Sequence, residues 1–96
     1  MKLTNKDKNY LISIGYDTED FSAIEETTKH IKYELSIYDL SDKSKYTIRL
    51  NQKEVIEILG RDVFISGLGR ATFHGSAARC VETQQGNIRI YFERIK

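Results

Sequence analysis

Proline and tryptophan are missing from these 96 residues, cysteine and methionine occur once each, and charge of one sign is lacking. Each absence excludes something. With Cys80 the only thiol, no intrachain disulfide can form, and no Cys-x-x-Cys pair or Cys/His cluster exists to hold zinc, so no metal or other cofactor is expected. A cytoplasmic, reducing compartment fits such cysteine usage. The opening MKLTNKDKNYLISIG has no apolar run of signal-peptide length and no later segment is long enough to span a bilayer, so no membrane association is expected. Fifteen Lys and Arg against fourteen Asp and Glu leave +1, and no global field draws the chain to nucleic acid or anionic lipid.

What is present describes a folded chain. It is 40% hydrophobic and 30% charged, with six Tyr and four Phe, and its length suffices for one modest core, so residues 1–96 are expected to form a single domain. Thr4 or Asn5 can cap a short helix carrying Tyr10, Leu11 and Ile14, which Gly15 stops. Asp17 or Thr18 precedes a second, TEDFSAIEETTKHI, with acids in its first turn and Phe21, Ile24 and Thr28 on one face. From Ile31 the period changes to two: Ile31, Tyr33, Leu35 and Ile37 alternate with Lys32, Glu34, Ser36 and Tyr38. DLSDKSK turns the chain, and KYTIRL resumes the alternation with Tyr46, Ile48 and Leu50 opposite Thr47 and Arg49. Asn51 caps a helix that ends at Gly60. After TQQGN, a last strand sets Ile88, Ile90 and Phe92 against Arg89, Tyr91 and Glu93.

The glycine-rich SGLGRATFHGSAAR, residues 66–79, poses a choice between a phosphate cradle and a helix. A Walker loop needs a lysine after its second glycine, and a dinucleotide fingerprint needs a third glycine between strand and helix. This stretch has neither. On a helix running from Arg61 to Val81, Val63, Phe64, Gly67, Leu68, Ala71, Gly75 and Ala78 form one stripe, with Arg61, Thr72, Ser76 and Arg79 opposite. The glycines then let the helix backbone approach a neighbour closely. The expected fold is therefore α+β, a three-stranded antiparallel sheet with helices covering the face of Tyr33, Leu35, Ile37, Tyr46, Ile48, Ile90 and Phe92, in the order ααββααβ.

The segments MKLTNKDKNYLISIGYDTEDFSAIEE and LGRDVFISGLGRATFHGSAAR resemble small uncharacterised proteins encoded in prophages and integrative elements of low-GC Gram-positive bacteria. Those carry L-G-R-x-x-F-[IL]-S-G followed by R-[AS]-x-F-H, matched here by Leu59, Gly60, Arg61, Phe64, Ile65, Ser66 and Gly67, then Arg70, Ala71, Phe73 and His74. The resemblance covers roughly the helical two-thirds of the chain and implies context, not chemistry. Such elements encode many small proteins that block host defence machinery, anti-CRISPR proteins among them.

Catalytic constellations are weak. Cys80 and His74 are poorly placed for a nucleophile pair, His30 and His74 show no metal-ligand spacing, and the carboxylate pairs Glu19/Asp20, Glu25/Glu26 and Glu54/Glu57 read as solvated helix surface, so no enzyme is expected. Charge distribution says more. Residues 1–60 carry nine basic and eleven acidic side chains, residues 61–96 six and three. One candidate surface is the open sheet face with Lys32, Tyr38, Arg49, Arg89 and Tyr91, because Arg and Tyr suit both protein interfaces and stacked single-stranded bases. The other is the long helix with Arg70, His74 and Arg79, where Arg70 and His74, four apart, can face one anion or be a solvated arginine and a boundary histidine. The expected partner is a host protein or ribonucleoprotein complex. The function expected is that of an inhibitor of a host defence nuclease complex, and the alternative is a nucleic-acid-binding accessory protein.

Overall fold

The computed structural model describes every residue of the 96 except 40, 42, 84, 85 and 96; parts of both expected turns, Leu40, Asp42, Gln84 and Gln85, therefore lie outside the described residues. Helix α1, Asn5–Ser13, starts at a reciprocal cap in which the Thr4 hydroxyl accepts from the Asp7 amide at 3.1 Å and the Asp7 carboxylate accepts from the Thr4 amide at 3.0 Å. A single 3₁₀ turn, Thr18–Asp20, leads into α2, Phe21–Thr27. Strands β1, Ile31–Asp39, and β2, Ser44–Leu50, form a hairpin, and Asn51 caps α3, Gln52–Leu59, through the same reciprocal device with Glu54. Gly60 at φ 86° separates α3 from α4, Arg61–His74, and strands β3, Ser76–Thr83, and β4, Gly86–Arg94, complete the chain.

The α+β class holds, but the sheet has four strands, not three, and the order is ααββααββ apart from the 3₁₀ turn. The expected helix to Val81 ends seven residues early. Gly75 adopts φ 80° and ψ −34°, a left-handed conformation that stops the helix while its N–H still reaches the Ala71 carbonyl at 3.0 Å. Residues 76–83 then pair antiparallel with β4. Gly75 and Ala78 thus leave the expected stripe, and Ser76 and Arg79 leave the helix. All pairs are antiparallel in the spatial order β2-β1-β4-β3, so two hairpins join along the β1–β4 seam and β2 and β3 form the edges.

Helix α4 lies between the sheet and the other helices, packing on β3 and β4 below and on α1, α2 and α3 above. Phe64, Ile65, Leu68 and Ala71 are fully buried, while Val63, expected on the stripe, is 39% exposed. The centre is aromatic: Phe64, Phe92 and Tyr33 have ring centroids 5.4–5.9 Å apart, with Tyr33 edge-on to Phe92. The Tyr33 hydroxyl is buried without a partner among the described residues, and burial pushes its pKa up to about 12. Gly67 sits directly over this cluster. A Cβ there would come within 2.8 Å of the Phe92 ring, whereas one on Gly69 would meet the Tyr16 ring at 2.7 Å.

The helix layer is shorter than the sheet. Tyr33, Leu35, Leu50, Ile90 and Phe92 are buried beneath it, but Ile37, Ile48 and Tyr46, on the same face toward the turn end of the β1–β2 hairpin, are 37%, 51% and 62% exposed. The expectation that all of these are covered is corrected for these three.

Arg61, expected on a solvated face, instead donates through Nε and Nη2 to both carboxylate oxygens of Asp7 at 2.9 and 2.8 Å, with Asp7 only 2% exposed. This fork ties the start of α1 to the start of α4. It holds the Asp7 carboxyl below its usual range; burial opposes the shift and the Thr4 contacts add to it.

Three substitutions test this packing. Gly67→Ala should lower stability by roughly 1–3 kcal/mol in urea unfolding, because the Phe92 ring, fully buried against Tyr33 and Phe64, has to shift to admit the methyl group. Gly75→Ala should also destabilise, through its positive φ instead of a clash, since nothing lies within 4 Å of its Cβ position. The ionised Asp7 is favoured in the folded chain, so its contribution is complete above about pH 4 and is lost as pH falls through the lowered folded-state value. Asp7→Asn should therefore cost roughly 1–2 kcal/mol at pH 7, the half-exposed Arg61 tempering the loss, and should flatten the decline of stability as pH falls below about 4. An unchanged acid profile in that variant contradicts the assignment.

Candidate functional site

Because side chains alternate along a strand, covering one face with helices leaves the residues of the other parity in the open. The register places Lys32 and Tyr38 of β1, Arg49 of β2, and Arg89 and Tyr91 of β4 on that single uncovered face. Lys45 joins them, and Cys80 of β3 stands directly opposite Arg89.

Tyr38, Arg89, Tyr91 and Lys45 form one cluster. The Arg89 guanidinium carbon lies 5.7 Å from the Tyr38 ring centre and 6.0 Å from that of Tyr91, and the Lys45 ammonium lies 5.7 Å from the Tyr38 ring. Arg89 Nη1 also donates to the Tyr91 phenol oxygen at 3.1 Å. That bond is the main cause of a lowered Tyr91 pKa, with a Tyr38 contact second, and it raises the pKa of Arg89, to which Cys80 adds. An arginine held between two rings loses rotamer freedom before any partner arrives, and so do the rings.

Toward the other end of the face, Lys32 pairs with Glu34 at 3.0 Å and Glu93 at 3.1 Å, which raise its pKa in that order. Arg49 stands opposite Glu34 in the ladder. Between the two ends runs a shallow groove of about 280 Å³ whose walls include Tyr91, Lys45 and Glu93. On the same face Ser36, 1% exposed, meets the Thr47 hydroxyl at 3.4 Å. Among the described residues of this face four cations, Lys32, Lys45, Arg49 and Arg89, meet three carboxylates, Glu34, Glu82 and Glu93. The mixture is polarised, with the Tyr38–Arg89 cluster rich in cations and the Lys32 end neutralised.

The second candidate surface does not assemble. Arg70 and His74 are exposed on α4, but Arg79 lies on β3, on the face turned toward the helices. Its guanidinium donates to Ser66 Oγ of α4, and its Nε is buried without a partner among the described residues. The three residues cannot form the helix patch expected of them, because the helix stops before the last one. A separate cavity of about 600 Å³, mainly apolar, opens at the end of α4 beside His30, Thr72 and Arg94. Among the described residues no three His, Cys, Asp or Glu side chains gather as metal ligands, and no helix is long and apolar enough to cross a membrane.

Sequence reasoning missed Lys45 and Cys80 as members of the open face. Lys45 was recoverable, since it shares parity with Thr47 and Arg49; Cys80 was hidden by the expectation of a helix. The cluster is testable by titration. In ultraviolet difference spectra the lowest-titrating phenol should disappear in Tyr91→Phe and move to higher pH in Arg89→Gln. If Arg89→Gln leaves it in place, Arg89 does not grip the ring.

No known protein family, curated protein or solved structure matches the chain.

Proposed function

We propose that this chain is a protein-interaction module that binds its partner through the open sheet face, without catalysing a reaction. The observation that carries the reading is the preorganised cluster of Tyr38, Arg89, Tyr91 and Lys45 on a four-stranded sheet face that no helix covers. Tyr and Arg dominate the energetic centres of protein interfaces, and side chains already held in place lose less entropy on binding. The mixed charge of the face suits a protein surface better than a uniformly anionic polymer. In the context of the phage-like resemblance, the partner is a host defence protein or nuclease complex, and the chain acts as its inhibitor.

A second reading, binding of single-stranded nucleic acid, is favoured by one observation: two tyrosines flanked by Lys45 and Arg89 on an open sheet could stack bases. Three carboxylates on the same face weigh against it. Salt dependence separates the two, because phosphate contacts make affinity fall steeply with salt.

In affinity capture from a Gram-positive host, Arg89→Ala and Tyr91→Ala should each weaken partner binding by about thirtyfold or more, with melting nearly unchanged. Retention of the partner by both variants, or its loss only in Arg70→Glu, refutes the face. Tight binding of single-stranded DNA or RNA that collapses with salt transfers the assignment to the second reading.

A further inference from the structure

The two sheet edges differ. Strand β3 packs against α4 and is tied to it by the Arg79–Ser66 bond, whereas β2 makes no comparable contact with any helix, and its residues from Lys45 to Arg49 are all exposed. In an antiparallel ladder about half the backbone groups of an edge strand point away from the sheet, unpaired and ready to accept a further strand. Natural edges are commonly blunted by proline, a bulge, an inward-pointing charge or charged side chains, lysine above all; β2 has only the last, Lys45 and Arg49, which deter a like-charged strand and not an acidic one. Strand β2 pairs with β1 in unbroken register from Ser44 to Leu50, contains no proline, and points Tyr46 and Ile48, 62% and 51% exposed, where an inward charge would stand. Its other side carries Lys45 and Arg49, with Thr47 between them.

We infer that the β2 edge is a docking site for an extended acidic segment of a partner protein, which adds as a fifth strand with its carboxylates beside Lys45 and Arg49 and its apolar side chains beside Tyr46 and Ile48. The occupant follows from complementarity across a ladder, where side chains directly opposite share a face and opposite charges attract. A second copy of this chain is disfavoured by the same rule. Pairing β2 with itself antiparallel at full overlap, centred on Thr47, puts Lys45 of one copy opposite Arg49 of the other, like charge against like. An alternating acidic and apolar strand satisfies both faces at once. The inference extends the interaction-module reading to a second surface continuous with the open face, but it stands on residues other than Arg89 and Tyr91.

The test uses the full chain and three fluorescein-labelled nine-residue peptides: one alternating glutamate with valine, one alternating lysine with valine, and the glutamate peptide N-methylated at alternate backbone positions. Fluorescence anisotropy should show the glutamate peptide binding at least about tenfold more tightly than either other peptide. Amide exchange should slow at alternate positions between Lys45 and Arg49 when it binds. The Lys45→Glu/Arg49→Glu variant should reverse the preference toward the lysine peptide. Equal binding of all three peptides, or protection elsewhere in the sheet, overturns the inference; so does a concentration-dependent dimer in sedimentation that Ile48→Lys abolishes, which would give the edge to a second copy. Failure of the open face is separately visible, because Tyr91→Ala should leave peptide binding at the edge intact.

Discussion

The closeness of helix α4 to the sheet governs the rest of the molecule. Gly67 lets the helix backbone rest on the Phe92 ring at a distance that any Cβ would forbid, and Phe92 in turn contacts Tyr33 and Phe64. That contact sets the height at which every other helix must pack, since α1, α2 and α3 meet α4 before they meet the strands. A second glycine repeats the device on another side of the same helix, where Gly69 admits the Tyr16 ring, itself stacked on Phe73 at 5.9 Å. Glycine in a helix interior costs up to about 1 kcal/mol relative to alanine. The aromatic contacts it permits offset that cost, each pair contributing roughly 0.5–1.5 kcal/mol beyond the area it buries.

A single central helix has a limited footprint. Fourteen residues of α4 span about 21 Å at 1.5 Å per residue, while a nine-residue strand such as β1 reaches about 30 Å. The strands therefore extend past their cover, which is why Ile37, Tyr46 and Ile48 have the parity of core residues without the burial. The Asp7–Arg61 fork fixes the other end of the helix layer, where Arg61 opens α4 and α1 begins. With all helices committed to one side, the opposite face has to be tolerated by water. It meets that requirement with Lys32 bridged to two glutamates and with aromatic rings capped by cations.

Legibility from sequence followed the strength of periodicity. Strands β1, β2 and β4 alternate apolar and polar residues over six or more positions, and the same parity that identified them also assigned Lys32, Tyr38, Arg49, Arg89 and Tyr91 to one face. Caps were equally readable, because Thr4 and Asn51 each stand three residues before an acid able to close the reciprocal bond. Strand β3 was not readable. Its SAARCVET places Ala77 inward and Ala78 outward, so the two faces look alike in hydropathy, and alanine favours a helix. What makes β3 a strand is its partner: Ala77 is small enough to lie beneath the helix opposite Phe92, and β4 supplies the ladder. The decisive local signal was Gly75, whose positive φ ends the helix, but in sequence a glycine at a helix end and one in a close-packed stripe are the same letter.

The misreading of β3 also explains which candidate surface dissolved. A helix continuing to Val81 would have displayed Arg70, His74 and Arg79 together; turning at Gly75 sends Arg79 back along the sheet and under α4, where it bonds Ser66. The same turn brings Cys80 onto the open face beside Arg89 and completes the sheet on that side. It also changes the balance between the edges. Strand β3, which this turn starts, becomes the edge that α4 protects, and the exposed edge is β2, whose side chains divide into a cationic row and an apolar row. Open face and open edge adjoin along β2, and Lys45, which grips the Tyr38 ring and borders the edge, is where they meet.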